Sequence, residues 1–289
     1  MGKIKEVPLE KCSKTTHISK AIMTPEPFFR ESGTGPALVC LHSNASSSSQ
    51  WRHLMESLAV RHHVLAPDMH GAGKGPAWPA DRPLALIDEV TLLAPLFARA
   101  GVPFSLVGHS YGGAVALVAA LQQPQNVRAL VLYEPTLFAV VDKAFAPPND
   151  ADGIREAVER SSAALLIGDR SAAAECFIDF WMGVGAWRAT SDARRGAIET
   201  AIAHVQGWSR ALFGEPTPLS AFSALTMPVL LMVGRDSPAS SRAVAQLLSQ
   251  TLPNLETLEF EGLGHMGPIT HPELVNAAIR DFLRRHSAP

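Results

Sequence analysis

Three side chains that together can activate a hydroxyl group stand far apart in this 289-residue chain. Ser110 lies within Gly108–Gly112, Asp236 follows an apolar run, and His265 lies between nearby glycines. A serine hydroxyl is almost fully protonated at neutral pH, so it needs a general base, and the base needs a carboxylate that orients it. The pattern predicts Ser110 as nucleophile, His265 as base and Asp236 as orienting acid.

The residues around Ser110 predict how its hydroxyl is presented. Gly108-His109-Ser110-Tyr111-Gly112 has the form G-x-S-x-G. The apolar run Pro103–Val107 comes before it, and the Ala-rich run Gly113–Leu121 comes after it. A strand, a sharp turn and a helix place a serine at the apex of a strained turn, where glycines avoid a collision with the crossing backbone. We therefore expect a nucleophile elbow.

Strand-like and helix-like segments alternate along most of the chain, which predicts a mostly parallel sheet with helices on both faces. The predicted strands are His17–Met23, Pro27–Glu31, Ala37–Leu41, His63–Ala66, Pro103–Val107, Val127–Tyr133, Pro228–Val233 and Leu255–Phe260. The first two are expected to be antiparallel edge strands. Asp236 and His265 follow the last two strands, so both should lie with Ser110 at the carboxyl edge of the sheet.

The alternation stops between residues 136 and 226. Helical patterns cover Gly153–Ile167, Ser171–Met182 and Ser191–Leu212, and no buried strand is evident among them. We interpret residues 136–226 as a helical cap. On this interpretation residues 1–135 and 227–289 form one core domain.

The elbow, the order serine–acid–histidine and the turn Asp68-Met69-His70-Gly71-Ala72-Gly73 resemble the α/β-hydrolases, in particular lidded serine esterases and C–C hydrolases. The resemblance covers nearly the whole chain. It implies an α/β-hydrolase fold: a mostly parallel central sheet of about eight strands, flanked by helices, with a helical cap insertion. It also implies an oxyanion hole formed by the backbone N–H groups of Tyr111 and Ser43. The usual His-Gly of that loop is His42-Ser43 here.

Glu134 is a rival for the role of the acid. It ends the strand Val127–Tyr133, which is another position where this fold can keep its acid. A supporting or capping role is favoured for Glu134, and Asp236 is the expected acid.

Further residues are expected around the substrate. His42 is expected to support the oxyanion loop by hydrogen bonding rather than to act as a second base. The aromatic residues of the cap are expected to provide apolar pocket walls. The expected pocket residues are His42, Asn44, His109, Phe138, Trp181, Trp187, Trp208 and Met266.

Composition narrows the class of protein. The net charge is −2 and no basic patch is present, which argues against nucleic-acid binding. The apolar runs are too short to span a membrane, and the first residues do not resemble a signal peptide. Cys12, Cys40 and Cys176 lack metal-type spacing and are expected to be reduced in a cytoplasmic protein. His62 and His63 should point to opposite faces of a strand, so no metal is expected.

The sequence therefore predicts a cofactor-independent serine hydrolase, acting as a monomer or homodimer. It would cleave an ester or related acyl bond, and possibly a C–C bond, in a small, largely apolar substrate. Two alternatives stay open: a cofactor-free perhydrolase or dioxygenase on the same three residues, and a ligand-binding protein that keeps the fold without catalysis. A serine at position 110 excludes the epoxide hydrolases and dehalogenases that use an aspartate nucleophile.

Overall fold

A computed structural model describes residues 27–286. Its centre is a seven-stranded sheet in the order β1-β3-β2-β4-β5-β6-β7. The strands are β1 (Phe29–Ser32), β2 (Ala37–Leu41), β3 (His63–Pro67), β4 (Phe104–His109), β5 (Val127–Tyr133), β6 (Val229–Gly234) and β7 (Leu255–Phe260). Among these seven strands, β1 pairs antiparallel with β3, and the other neighbouring pairs are parallel. The predicted mostly parallel sheet is confirmed, and the further predicted strand His17–Met23 lies outside the described residues.

Helices cover both faces of the sheet. They are α1 (Arg52–Leu58), α2 (Leu86–Ala100), α3 (Tyr111–Gln122), α4 (Ala139–Ala144), α5 (Asp152–Leu166), α6 (Arg170–Met182), α7 (Ala186–Ala189), α8 (Asp192–Ala201), α9 (Val205–Phe213), α10 (Ala239–Ser249), α11 (Gly267–Thr270) and α12 (Pro272–His286). None of these helices is long and apolar enough to cross a membrane.

The sheet separates two apolar cores. Successive side chains of a strand point to opposite faces. Val39 and Leu41 accordingly join a cluster that includes residues of α2, α3 and α10. Leu38 and Cys40 join the cluster that includes residues of α1 and α12. Because β2 is buried on both faces, it is apolar throughout rather than alternating, as expected for a central parallel strand.

Between β5 and β6 the described elements are all helical, from α4 to α9 with short 3-10 turns. The segment contributes Phe138, Trp181 and Trp208 to the same apolar cluster as α3. The predicted helix Ser191–Leu212 is broken into α8, a 3-10 turn and α9. At the break, the ring of Trp78 stacks on His204 with centroids 5.3 Å apart.

Glycines allow β4 and α3 to approach their neighbours closely. A Cβ on Gly112 would lie 2.3 Å from the Leu41 carbonyl oxygen, and one on Gly108 would lie 2.5 Å from that of Gly112. Both contacts are with backbone, which cannot move aside as a flexible side chain can. Gly108 and Gly112 therefore permit the turn that carries Ser110.

We expect Gly112→Ala to lower the free energy of unfolding by about 1–3 kcal/mol, because the new methyl group would push α3 away from β2. Gly196→Ala is the matched control. Gly196 lies inside α8 with no atom within 4 Å of a new Cβ, so this change should stabilise the protein by about 0.5–1 kcal/mol. Urea denaturation of both variants measures the difference. Equal effects would contradict the packing argument.

Candidate active site

Ser110 occupies a strained turn between β4 and α3. Its backbone has φ 55° and ψ −119°, a conformation that costs a non-glycine residue about 1–3 kcal/mol. The Ser110 N–H donates to the Tyr133 carbonyl oxygen at 3.0 Å, while the Ser110 carbonyl accepts from Gly113 at 2.9 Å and Ala114 at 3.1 Å. These bonds hold the turn between two neighbouring elements. The structure therefore has the geometry expected of a nucleophile elbow.

His265 reaches the serine from the loop between β7 and α11. Its Nε2 lies 2.9 Å from Ser110 Oγ, and the residue is 1% exposed. The imidazole can accept the hydroxyl proton at Nε2 if its own proton sits on Nδ1. The structure thus brings the two sequence-predicted residues Ser110 and His265 together.

The group that holds the other side of the imidazole is Glu134. His265 Nδ1 lies 2.7 Å from Glu134 Oε2, and Glu134 is fully buried. Its other oxygen, Oε1, accepts from the Gly234 N–H at 2.7 Å and from the Ser237 hydroxyl. Glu134 directly follows β5 with φ 42°. Three donors surround a carboxylate that has no contact with water, as a buried charge requires.

The expected position of Asp236 needs correction. Asp236 is exposed, and no hydrogen bond joins its side chain to His265 in the described structure. The turn after β6 is held by the Asp236 N–H, which donates to the Leu263 carbonyl at 3.0 Å. This turn directs Ser237 inward, where it is buried and contacts Glu134. The rival position, Glu134, takes the place expected for Asp236.

Sequence reasoning missed two serines near the imidazole. Ser237 donates to Glu134, and Ser241 Oγ lies 3.3 Å from His265 Nδ1. Ser237 lies in the turn directly after Asp236, and Ser241 lies in the first turn of α10. A serine carries no sequence signal that separates such a contact from an ordinary helix-start residue.

The expected oxyanion donor Ser43 also needs correction. Its backbone N–H and its hydroxyl both donate to Gln50 Oε1, each at 3.0 Å. The neighbouring Asn44 lines the space beside Ser110. Tyr111 opens α3, and the first backbone N–H groups of a helix have no partner within the helix. Gln50 was not among the sequence candidates, because a glutamine seven residues along the chain gives no signal of this contact.

Gln50 links the loop of Ser43 to the loop of His265 through His109. Gln50 Nε2 lies 3.0 Å from His109 Nδ1, and His109 Nε2 lies 2.8 Å from the His265 carbonyl oxygen. Burial, together with the nearby His265, holds the pKa of His109 well below its ordinary value. A neutral His109 then accepts from Gln50 at Nδ1 and donates from Nε2 to His265. His109 therefore lies behind the nucleophile and does not line the pocket.

His42 supports the loop of Ser43 by hydrogen bonding, but it lines neither chamber at Ser110 and is removed from the expected pocket. Its Nδ1 donates to the Ser43 carbonyl at 2.7 Å, and its Nε2 accepts the Met69 N–H at 3.1 Å. Burial lowers the pKa of His42, which fits a neutral ring with one donor and one acceptor. The turn after β3 is organised by the Asp68 carboxylate, which accepts hydrogen bonds from the backbone N–H groups of Ser48 and Lys74.

Two chambers meet at Ser110, and both are lined by Asn44, Phe177 and Trp181. The mouth chamber has a volume of about 60 Å³, and its further lining residues include His265, Met266, Ile198, Met182 and Arg194. The inner chamber has a volume of about 20 Å³, and its further lining residues include Thr136, Phe138, Val158, Trp208, Leu212 and Phe213.

The cap tryptophans have different positions. Trp181 stacks on the His265 imidazole, with ring centroids 3.9 Å apart and planes at 26°. Trp208 lies in the inner chamber wall. Trp187 lines neither chamber; its indole N–H donates to Ser171 Oγ at 3.2 Å, and the Arg195 guanidinium lies over its ring. Trp187 is therefore removed from the expected pocket, while Phe138 and Met266 each line a chamber.

No group of three or more His, Cys, Asp or Glu side chains between residues 27 and 286 is arranged to hold a metal ion. Cys40 and Cys176 are free thiols. Cys40 is fully buried in the apolar core, and this burial raises the pKa of its thiol. Cys12 lies outside the described residues.

Comparison with known proteins places this chain among the α/β-hydrolases. Residues 36–272 match a family model described as alpha/beta hydrolase fold. The lipase LipV of Mycobacterium tuberculosis is 31% identical over 261 residues, covering 86% of this chain and 94% of LipV. A pimeloyl-[acyl-carrier protein] methyl ester esterase of Aliivibrio fischeri is 24% identical, covering 92% of this chain and all of that protein. The crystal structure of an alpha/beta hydrolase from Sphaerobacter thermophilus is 27% identical, with a TM-score of 0.68, covering 89% of this chain and 95% of that one.

We expect Glu134→Gln to be severe and Asp236→Asn to be mild. An amide at position 134 favours the wrong imidazole tautomer and cannot balance the charge that His265 gains. The corresponding aspartate-to-asparagine change in a serine protease costs about 10⁴-fold in kcat. Asp236→Asn alters an exposed side chain, so kcat should stay within about threefold. Steady-state ester hydrolysis by both purified variants measures this, with circular dichroism to verify folding. The reverse ranking would restore Asp236 as the acid.

Proposed function

The chain belongs to the α/β-hydrolase family and is a hydrolase, and we propose that it is a serine hydrolase that cleaves esters of small molecules with Ser110, His265 and Glu134 as its catalytic triad. The observation that carries the proposal is the buried line of hydrogen bonds, 2.9 Å from Ser110 Oγ to His265 Nε2 and 2.7 Å from His265 Nδ1 to Glu134 Oε2. This is the arrangement that activates a serine for acyl transfer.

In the first step, Ser110 Oγ attacks the ester carbonyl and His265 Nε2 takes the hydroxyl proton. The imidazolium is stabilised by the Glu134 carboxylate. The other oxygen of this carboxylate accepts hydrogen bonds from the Gly234 N–H and the Ser237 hydroxyl. His265 then gives its proton to the departing alcohol oxygen, which leaves an acyl group on Ser110. Water, activated by the same imidazole, releases the acid.

The oxyanion of the tetrahedral intermediate needs two hydrogen-bond donors. The backbone N–H groups of Tyr111 and Asn44 meet this need, because Tyr111 opens α3 and Asn44 lines both chambers beside Ser110. The positive end of the α3 dipole adds to the stabilisation of the oxyanion. Ser43 has a different role: through Gln50, it fixes the loop that presents Asn44.

Residues 136–226 act as a cap over the core formed by the rest of the chain. Trp181, from α6 of this segment, covers one face of the His265 ring at 3.9 Å. A large apolar surface at this position limits the access of water to the imidazole and strengthens the hydrogen bonds within the site. The cap also supplies most of the inner chamber wall.

The names of two relatives support ester cleavage. One is called a lipase and the other a methyl ester esterase. Both names describe hydrolysis of an ester bond. The proposed mechanism carries out this reaction with the side chains of this protein and without a cofactor.

Ser110→Ala should lower kcat for ester hydrolysis by about 10⁴-fold or more, because the nucleophile is lost while only one atom is removed. His265→Ala should have a loss of similar size. The double variant should be no slower than the worse single variant, since neither residue works without the other. The measurement is hydrolysis of 4-nitrophenyl acetate by the three folded variants.

A fluorophosphonate probe separates an enzyme from a binding protein. The unaltered protein should be labelled on Ser110, and Ser110→Ala should not be labelled, as mass spectrometry of the intact proteins would show. An unaltered protein that is folded, unlabelled and inactive on every ester would contradict the proposed function.

A further inference from the structure

We infer that this protein is selective for esters of short acids, acetyl and propionyl, and that Leu212 is one of the residues that set this limit. The inference rests on the proposed function, because it assigns the two halves of an ester to the two chambers that meet at Ser110. The proposed limit applies to the length of the acyl chain. It sets no limit on the size of the alcohol.

The position of the imidazole assigns the chambers. His265 must protonate the oxygen of the departing alcohol, so the alcohol half lies on the His265 side of Ser110. His265 lines the mouth chamber but not the inner chamber. The alcohol half therefore occupies the mouth chamber, and the acyl half occupies the inner chamber.

The mouth chamber does not limit the alcohol half. Its lining includes Met182 and Arg194, and both side chains are exposed to solvent. A long alcohol half can therefore extend past them to the surface.

The inner chamber has little free space. Its volume is about 20 Å³, one third of the 60 Å³ of the mouth chamber. A methyl group, or an ethyl group with slight adjustment, fills such a space beside the acyl carbonyl. A pentyl chain requires the wall to move.

The wall of the inner chamber is closely packed. The rings of Phe138 and Phe213 have centroids 5.2 Å apart, and those of Phe177 and Trp208 lie 5.8 Å apart. The Arg155 guanidinium lies 4.3 Å from the Phe213 centroid and covers its outer side. Close packing makes such a wall resist expansion, so longer acyl chains should be excluded rather than accommodated.

Two aliphatic residues of the cap offer a matched pair of variants. Leu212, in α9, is 4% exposed and lines only the inner chamber. Ile198, in α8, is 7% exposed and lines only the mouth chamber. Truncation of either residue to alanine removes three carbon atoms, but only the change at Leu212 adds space to the acyl side.

The experiment measures kcat/KM for 4-nitrophenyl esters from acetate to octanoate. The unaltered protein should be fastest on acetate or propionate and at least about tenfold slower on hexanoate. Leu212→Ala should raise the hexanoate-to-acetate ratio by about tenfold, whereas Ile198→Ala should change it by no more than about twofold. Thermal melts of each variant verify folding, and Leu212→Val, with a smaller loss of volume, should give a smaller shift in the same direction.

The outcomes separate this inference from the proposed function. Hydrolysis of esters with hexanoate equal to or faster than acetate would overturn the chain-length limit and leave the serine mechanism in place. A shift in the ratio with Ile198→Ala but not with the Leu212 variants would show that the chambers are assigned the wrong way round. Failure to hydrolyse any ester, together with no labelling of Ser110, would overturn both.

Discussion

The candidate active site depends on one buried hydrogen bond, from His265 Nδ1 to Glu134. A carboxylate with no access to water is costly unless its oxygens are satisfied, and here the Gly234 N–H, the Ser237 hydroxyl and His265 satisfy them. Gly234 is the last residue of β6, Ser237 lies in the turn after it, and His265 lies in the loop after β7. The carboxylate therefore joins the ends of three adjacent strands and fixes the imidazole relative to Ser110.

The second constraint is the tight turn at Ser110. Close approach of α3 to β2 is possible only because Gly112 has no side chain. Behind the turn, His109 and Gln50 connect the His265 loop to the loop of Ser43. His265, Ser110 and the loop of Ser43 are thus parts of one polar network within the core. A disturbance at any of its members should be felt at the others.

The sequence allowed prediction of the features that depend on local pattern. The sheet follows from alternating strands and helices, and the positions of Ser110 and His265 follow from the motifs at strand ends. The choice between Glu134 and Asp236 could not be made in this way, because both carboxylates follow strands that end at the same edge of the sheet. What separates them is the turn after β6, which directs Ser237 inward. That direction is set by tertiary contacts, as is the contact of Ser43 with Gln50.

The most direct test of the account is the proton on His265 Nδ1. In ¹⁵N-labelled protein, NMR should show this proton as a resonance downfield of the amide region, with Nε2 unprotonated in the resting enzyme. The resonance should move or disappear in Glu134→Gln and stay unchanged in Asp236→Asn, because the structure pairs Nδ1 with Glu134 at 2.7 Å. A resonance that is unchanged in Glu134→Gln and lost in Asp236→Asn would contradict the account.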